Sequence, residues 1–153
     1  MKMRPANAGD QAILFEVHQS VFRRHIEALW GWEDGWQREN FAAEFAGATT
    51  CVIEVDGRIA GYLQTKDEAG RIYLQNIAIA AEFQGRGMGS RLLKRLQSDA
   101  AVRKVSLQLG VFRTNKPAQR LYQRLGFHQV GETATHIEMS WPAPQPSNEG
   151  GPL

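Results

Sequence analysis

The chain has 153 residues, of which 42% are hydrophobic and 22% charged, and its formal net charge is +2. This length suits one domain with its own core, and interspersed charges near neutrality do not favour a nucleic-acid partner. No apolar stretch approaches the roughly 20 residues of a membrane span, and residues 1–10 lack a signal-peptide core, so we expect a cytoplasmic protein without a membrane partner.

The first 46 residues predict a short strand followed by two helices. Residues 1–4 suit the strand, and Asp10 suits the N-cap of a helix over residues 11–30, where apolar residues recur at helical spacing. A second helix is predicted over residues 36–46, after a glycine-bounded break.

Three consecutive strands are predicted next, as an antiparallel meander. Residues 49–56 and 58–65 meet at an Asp-Gly pair, which is a strong hairpin signal, and residues 72–80 form the third strand. Cys51 is the only cysteine, so an internal disulfide is excluded. We interpret it as a small buried hydrophobic residue rather than a nucleophile.

The second half predicts alternating helices and strands. A helix between two strands implies a parallel, right-handed crossover, so the sheet should be mixed. We expect an α/β fold with a central, mostly antiparallel twisted sheet and helices on both faces, formed by residues 1–141, and a disordered tail at 142–153. The predicted elements are helices at 90–101 and 117–125 and strands at 104–111, 127–132 and 135–141.

A glycine-rich loop connects the third strand to the next helix. Its sequence is QGRGMG, residues 84–89. Glycine lets a ligand approach the backbone closely, and the helix N-terminus offers unpaired N–H groups, so the pair predicts a phosphate site. The spacing is G-x-G-x-G, which matches neither the dinucleotide fingerprint nor the P-loop.

A second motif lies one strand downstream, over residues 115–127 (NKPAQRLYQRLGF). Pro117 suits a first helical turn, and Gly126 followed by Phe127 suits a helix C-terminus. Tyr122 falls on the apolar face of this helix. A tyrosine beside a phosphate site is a candidate proton donor, and the alternative is a core aromatic residue.

The order of strand, Q-x-x-G-x-G loop, helix, strand and N-x-x-A-x-x-L-Y-x-x-x-G-F resembles the GNAT superfamily of N-acetyltransferases, whose fold has three layers. The resemblance covers residues 50–140 and implies acetyl-CoA as acyl donor, with no metal and direct transfer in a ternary complex. It implies that Tyr122 protonates the leaving thiolate and that Asn115 binds pantetheine or orients the tyrosine. The implied cofactor-binding residues are Asn76, Ile77, Ala78, Ile79, Gln84, Gly85, Arg86, Gly87, Met88, Gly89, Ser90, Asn115, Ala118 and Tyr122.

The general base is not fixed by the sequence. Some members carry a glutamate on the strand before the loop, but this strand reads YLQNI, without a carboxylate. Gln75 or Asn76 could hold a water but cannot take a proton at neutral pH. A water relay is one alternative, and the remaining candidate bases are His25, Glu33, Asp34, His136 and Glu138.

Three of the four tryptophans fall in the segment WGWEDGW, residues 30–36. Aromatic rings and acids would suit an amine-bearing acceptor, through cation–π contact and charge pairing. The alternative is that the tryptophans anchor a helical corner. The expected substrate-binding residues are Trp32, Glu33, Trp36 and Gln75.

The resemblance implies an acyltransferase acting on a primary amine, and we expect a small-molecule acceptor. A protein or peptide N-terminal acetyltransferase is one alternative, and a silent CoA-binding module is another. A homodimer is common among such proteins, although no residue here requires one.

Overall fold

The computed structural model describes residues 1–142. Residues 2–141 form a seven-stranded sheet in the order β1-β2-β3-β4-β5-β7-β6, with helices on both faces. Within it, β4 and β5 are parallel and the other neighbouring strands are antiparallel. The strands are β1 (Lys2–Pro5), β2 (Thr49–Val55), β3 (Arg58–Glu68), β4 (Arg71–Ile79), β5 (Ser106–Phe112), β6 (His128–Glu132) and β7 (His136–Trp141). The helices are α1 (Gln11–Trp30), α2 (Asp34–Gly47), α3 (Met88–Arg103) and α4 (Lys116–Arg124).

The predicted mixed α/β architecture is confirmed, including the meander and the crossover through α3 between two parallel strands. The helix boundaries differ from prediction. Helix α3 begins at Met88, two residues early, so Met88 and Gly89 belong to its first turn. The predicted tail, 142–153, lies outside the described residues apart from Pro142.

Asp10 precedes α1 but does not cap it, contrary to the sequence prediction. Its carboxylate accepts the N–H of Asn7 at 2.8 Å and pairs with the Arg4 guanidinium at 2.8 Å. The Arg4 hydrogen bond, followed by that of Asn7, lowers the pKa of Asp10 to about 2. Asp10 therefore ties the start of α1 to β1 instead of capping the helix.

The sheet separates two main groups of buried side chains. On one face, α1 and α2 pack through Leu14, Phe15 and Phe41 against Val52 and Tyr62. On the other face, α3 and α4 contribute Leu93, Leu96 and Tyr122, which pack against Leu74, Leu107 and Leu109.

The two parallel strands diverge in the middle of the sheet. Their pairing runs from Arg71 with Ser106 to Leu74 with Leu109 and then stops. Strand β4 stays paired with β3 as far as Ile79, and β5 stays paired with β7 as far as Phe112. The facing edges beyond this point carry backbone N–H and C=O groups without a strand partner.

A bulge in β4 lies where the divergence begins. Leu74 pairs with Thr65 and Asn76 pairs with Gln64, so Gln75 has no opposite residue on β3. Such a bulge reverses which face later side chains point to. Leu74 accordingly packs on the α3–α4 face, whereas Ala78 packs on the α1–α2 face. The bulge therefore turns Asn76 toward α2.

Gly61 allows β3 and β4 to approach closely at the other end of this segment. A Cβ at Gly61 would lie 2.1 Å from the carbonyl oxygen of Ala78. Because the obstructing atom is backbone, we expect Gly61→Ala to lower the free energy of unfolding by about 3 kcal/mol. Chemical denaturation measures this change.

Gly35→Ala is the matched control, because a Cβ there meets nothing within 4 Å. Gly35 lies in the first turn of α2, where alanine is favoured over glycine, so its stability should be unchanged or slightly raised. Equal stability of the two variants would contradict the close approach at Gly61.

Candidate active site

A cavity of about 1130 Å³ opens between the diverging strands. Residues of β4 and β5 form its walls, α1 and α2 cover it from one face, and the start of α3 with α4 bounds the other. This volume is slightly above the roughly 300 to 1,000 Å³ that is common for ligand pockets, so the cavity is large enough for a large organic ligand.

The glycine-rich loop lies at one end of this cavity. Gly85 and Gly87 have φ angles of 78° and 76°, which favour glycine, and Gly87 is the residue before α3. A Cβ at Gly87 would meet nothing within 4 Å, so the space beside it is open. The Gln84 side chain donates to the carbonyl of Ile79 at 2.8 Å and fixes the loop to the end of β4. Unpaired N–H groups of the first α3 turn therefore border the cavity.

Tyr122 lies on α4 at the cavity wall, with 7% of its surface exposed. Its ring packs edge-on against the Phe127 ring, and the two ring centroids are 5.6 Å apart. The hydroxyl makes no hydrogen bond within residues 1–142. Every fully buried side-chain N or O atom of these residues has a hydrogen-bond partner, so the Tyr122 hydroxyl is not fully buried and is exposed to the cavity. Burial raises the pKa of Tyr122 to about 12. The phenol is therefore protonated at neutral pH and can donate a proton.

Asn115 lines the cavity beside this helix. Its side-chain oxygen accepts the N–H of Ala118 at 3.3 Å, and so it caps α4. The cap fixes the orientation of the turn that leads to Tyr122.

The cavity brings together most of the residues that the sequence predicted. The loop residues, the diverging edge of β4 and the second motif converge, although they are far apart in sequence. The predicted residues that line the cavity are Glu33, Trp36, Gln75, Asn76, Ile77, Ile79, Gln84, Gly85, Gly87, Met88, Gly89, Ser90, Asn115, Ala118 and Tyr122.

Three of the predicted cofactor-binding and substrate-binding residues lie outside the lining. Ala78 is buried in the α1–α2 core because of the β4 bulge. The Arg86 guanidinium donates to the Glu82 carbonyl at 3.1 Å and lies over the Phe83 ring. Trp32 packs against Phe15 instead of facing the cavity, and Trp30 lines the cavity in its place.

Some of the candidate bases line the cavity and the others lie outside its lining. Glu33 and His136 line the cavity. His25 is buried against Thr114, at 2.7 Å, and Asp34 is exposed and paired with Arg38. Glu138 accepts a hydrogen bond from the Tyr73 hydroxyl at 3.3 Å. His25, Asp34 and Glu138 thus lie outside the cavity lining.

A polar group on the α1–α2 side was not predicted from the sequence. Gln37, Asn40 and Glu44 of α2 line the cavity together with His18 of α1. The spacing of the α2 residues indicates where they point, because one side of a helix carries residues 37, 40, 41, 44 and 45. Phe41 and Phe45 on this side face the core, so its polar members had to face the interior too.

His18 is buried, and its Nδ1 atom forms a 2.8 Å hydrogen bond with the Tyr62 hydroxyl. Burial lowers the pKa of His18 from 6.5 to about 4, against an opposing influence of the Glu44 charge. Burial also raises the pKa of Tyr62. The histidine is therefore neutral at pH 7, and the Tyr62 hydroxyl donates to it.

This burial predicts a loss of stability in mild acid. Between pH 6.5 and 4 the unfolded chain binds a proton at His18 that the folded protein does not, so the free energy of unfolding falls as pH falls. At 1.36 kcal/mol per pH unit, His18 alone accounts for about 3 kcal/mol. Denaturant titrations across this pH range measure the slope.

His18→Gln should flatten that slope, and the same change at the exposed His128 should leave it unchanged. The slopes are compared rather than the absolute stabilities, because His18→Gln also changes the contact with Tyr62. An unaltered slope in His18→Gln would contradict the buried neutral histidine.

Charges are unevenly distributed in the cavity. Two carboxylates, Glu33 and Glu44, lie on the α2 side, and Arg124 lies on the α4 side with the α3 N-terminus.

Within residues 1–142, no three His, Cys, Asp or Glu side chains are grouped as a metal site would need. Among the helices of the same residues, none has the length and apolar character required to span a membrane.

The chain matches known proteins along most of its length. Residues 14–127 match the model of the Acetyltransferase (GNAT) family. A putative [ribosomal protein bS18]-alanine N-acetyltransferase of Bacillus subtilis is 32% identical over 102 residues, which cover 63% of this chain and 66% of that protein. A spermine/spermidine N(1)-acetyltransferase of the same organism is 42% identical over 65 residues, covering 41% of this chain and 43% of that protein. The chain thus spans less than two thirds of either relative.

A solved structure shares the fold. The PaiA N-acetyltransferase of Thermoplasma acidophilum, in complex with coenzyme A, superposes with a TM-score of 0.76. The match covers 91% of this chain and 96% of that one, at 17% identity.

Proposed function

The chain belongs to the acetyltransferase (GNAT) family, and from this we propose that it transfers the acetyl group of acetyl-CoA to a primary amine. One observation carries the proposal: the glycine-rich loop, the diverging strands and the Tyr122 hydroxyl border one cavity. This is the arrangement that a donor with a pyrophosphate at one end and a thioester at the other requires.

The residues present fit acetyl-CoA. The open space at Gly87 and the unpaired N–H groups of Met88, Gly89 and Ser90 would hold the pyrophosphate. The free edge of β4, from Gln75 to Ile79, would pair with the amides of the pantetheine arm. Bound there, acetyl-CoA supplies an activated acyl group.

Backbone N–H groups on the free β4 edge would donate to the thioester carbonyl oxygen, where negative charge develops. Tyr122 would give its proton to the departing sulfur, because its raised pKa keeps it protonated until that step. The acceptor must lose a proton before attack, since a primary amine with a pKa near 10.4 is only about one part in a few thousand neutral at pH 7.

We place the acceptor on the α1–α2 side of the cavity. Trp30, Trp36, Glu33 and Glu44 lie there, and aromatic rings with carboxylates suit a cationic amine. We propose a small amine as acceptor. The second candidate is a protein N-terminus, and the 32% identical relative named as a ribosomal-protein alanine acetyltransferase favours it.

An acceptor screen tests this proposal. Purified protein with acetyl-CoA is given alkyl diamines, amino-acid amides, a lysine-containing peptide and an alanine-initiated peptide, and the release of CoA thiol is followed. We expect the fastest turnover with a small amine. Faster turnover of the peptides would favour the second candidate, and no turnover of any amine would contradict the proposed activity.

A further inference from the structure

Of the two carboxylates within residues 1–142 that line the cavity, Glu33 and Glu44, it is Glu44 that side-chain hydrogen bonds hold in place. Its Oε1 accepts from the Asn40 amide at 3.0 Å, and its Oε2 accepts from the Asn76 amide at 2.9 Å. A carboxylate has about four acceptor positions, so two are left after these contacts. The side chain is partly exposed and lines the cavity. Glu44 is therefore held in place with capacity to bind a further donor.

The contacts of Glu44 continue into the sheet as one directed row. Asn76 also donates to the Gln64 side-chain oxygen at 2.8 Å, and Gln64 donates to the Thr50 hydroxyl at 3.2 Å. Thr50, Gln64 and Asn76 are directly opposite one another on β2, β3 and β4. Because an ionised carboxylate only accepts, it sets the direction of every amide in the row.

This row exists because of the β4 bulge. Without the unpaired Gln75, position 76 would point toward α3 and α4, and Glu44 would lose its sheet partner. Both amide hydrogens of Asn76 are engaged, by Glu44 and by the fully buried Gln64. The bulge thus fixes a carboxylate beside the point where the β4 edge becomes free.

From this geometry we infer that Glu44 binds the acceptor amine as its ammonium ion and takes up the proton that must leave before attack. The inference rests on the proposed function. It assigns one group to both steps, since a carboxylate that attracts the cation can also accept its proton. Proton transfer turns an ion pair into two neutral groups, and the apolar lining formed by Val21, Phe22 and Ile26 favours that change.

The protons balance as follows. The ammonium gives one proton to Glu44, which passes it to solvent, and the nitrogen lone pair then forms the C–N bond as the C–S bond breaks. Tyr122 protonates the sulfur and regains a proton from the nitrogen. The third proton stays on the amide. The titratable neighbours of Glu44 are His18 and Tyr62, both of which are neutral at pH 7.

Glu44→Gln tests the inference, because it keeps the shape and removes the charge. With CoA bound, we expect the affinity for n-butylamine at neutral pH, measured by calorimetry, to fall at least tenfold. For acetyl transfer, kcat/KM with n-butylamine should fall about 10²-fold. With 2,2,2-trifluoroethylamine, which is largely unprotonated because fluorine withdraws electrons, the fall should be under threefold. Acetyl-CoA affinity should be unchanged.

Glu39→Gln is the matched control, since Glu39 is exposed on the same helix and lies outside the cavity lining. It should behave as wild type in each assay. Unchanged n-butylamine binding in Glu44→Gln, or equal losses with both amines, would overturn the role of Glu44, as would a wild-type CoA complex that binds no n-butylamine. If wild type binds the amine through Glu44 but acetylates no amine, the binding role of Glu44 stands, and its role as proton acceptor fails together with the proposed function.

Discussion

Replacing Tyr122 with phenylalanine is expected to lower kcat about 10²–10⁴-fold, the usual contribution of a positioned general acid. The change removes only the hydroxyl, and the ring keeps its edge-on contact with Phe127. Because the hydroxyl makes no hydrogen bond within residues 1–142, its loss should leave the free energy of unfolding and the acetyl-CoA affinity nearly unchanged. Single-turnover kinetics with saturating amine measures the chemical step.

Tyr73→Phe provides the comparison. Tyr73 also has a pKa raised to about 12 by burial, but its hydroxyl contacts Glu138 and lies outside the cavity lining. Its loss should leave the chemical step unchanged. A near-wild-type single-turnover rate in Tyr122→Phe would remove the tyrosine from the mechanism.

Gly87→Val is expected to weaken acetyl-CoA binding strongly while the protein remains folded. Charge-assisted hydrogen bonds contribute about 1.5–3 kcal/mol each, so losing two of them weakens binding roughly 10²-fold or more. The valine would fill the open space beside the loop, where the phosphate must approach the backbone. Calorimetric titration with acetyl-CoA measures the loss.

Gly70→Val separates the loss of binding from backbone strain. Gly70 has a φ of 72°, nearly that of Gly87, and a Cβ there also meets nothing within 4 Å. It lies in the β3–β4 turn, outside the cavity lining. Both variants should lose about 1–2 kcal/mol of stability from the left-handed conformation. Equal acetyl-CoA affinity in the two would contradict the phosphate role of the Gly87 loop.

The loop and the second motif could be predicted because their signals are local. A glycine with positive φ, a helix N-terminus and a Pro-to-Gly helix each depend on neighbours in sequence, and both helices begin within two residues of the predicted positions. The parallel crossover followed from element order alone.

The acceptor side could not be derived in the same way. The extra residue at Gln75 is defined by its lack of a partner on β3, so the direction of Asn76 depends on a pairing that the β4 sequence does not contain. Which of Trp30 and Trp32 lines the cavity also depends on geometry that the sequence does not contain. The turn at Gly31, with φ 76° and ψ 170°, decides which ring faces the core.

The most direct test is calorimetric titration of the purified wild-type protein, freed of carried-over CoA, with acetyl-CoA, ATP and NAD. We expect saturable binding of acetyl-CoA with one site per chain and no comparable binding of the other two. No acetyl-CoA binding by the folded protein, or equal binding of ATP or NAD, would contradict the assignment of the cavity to acetyl-CoA.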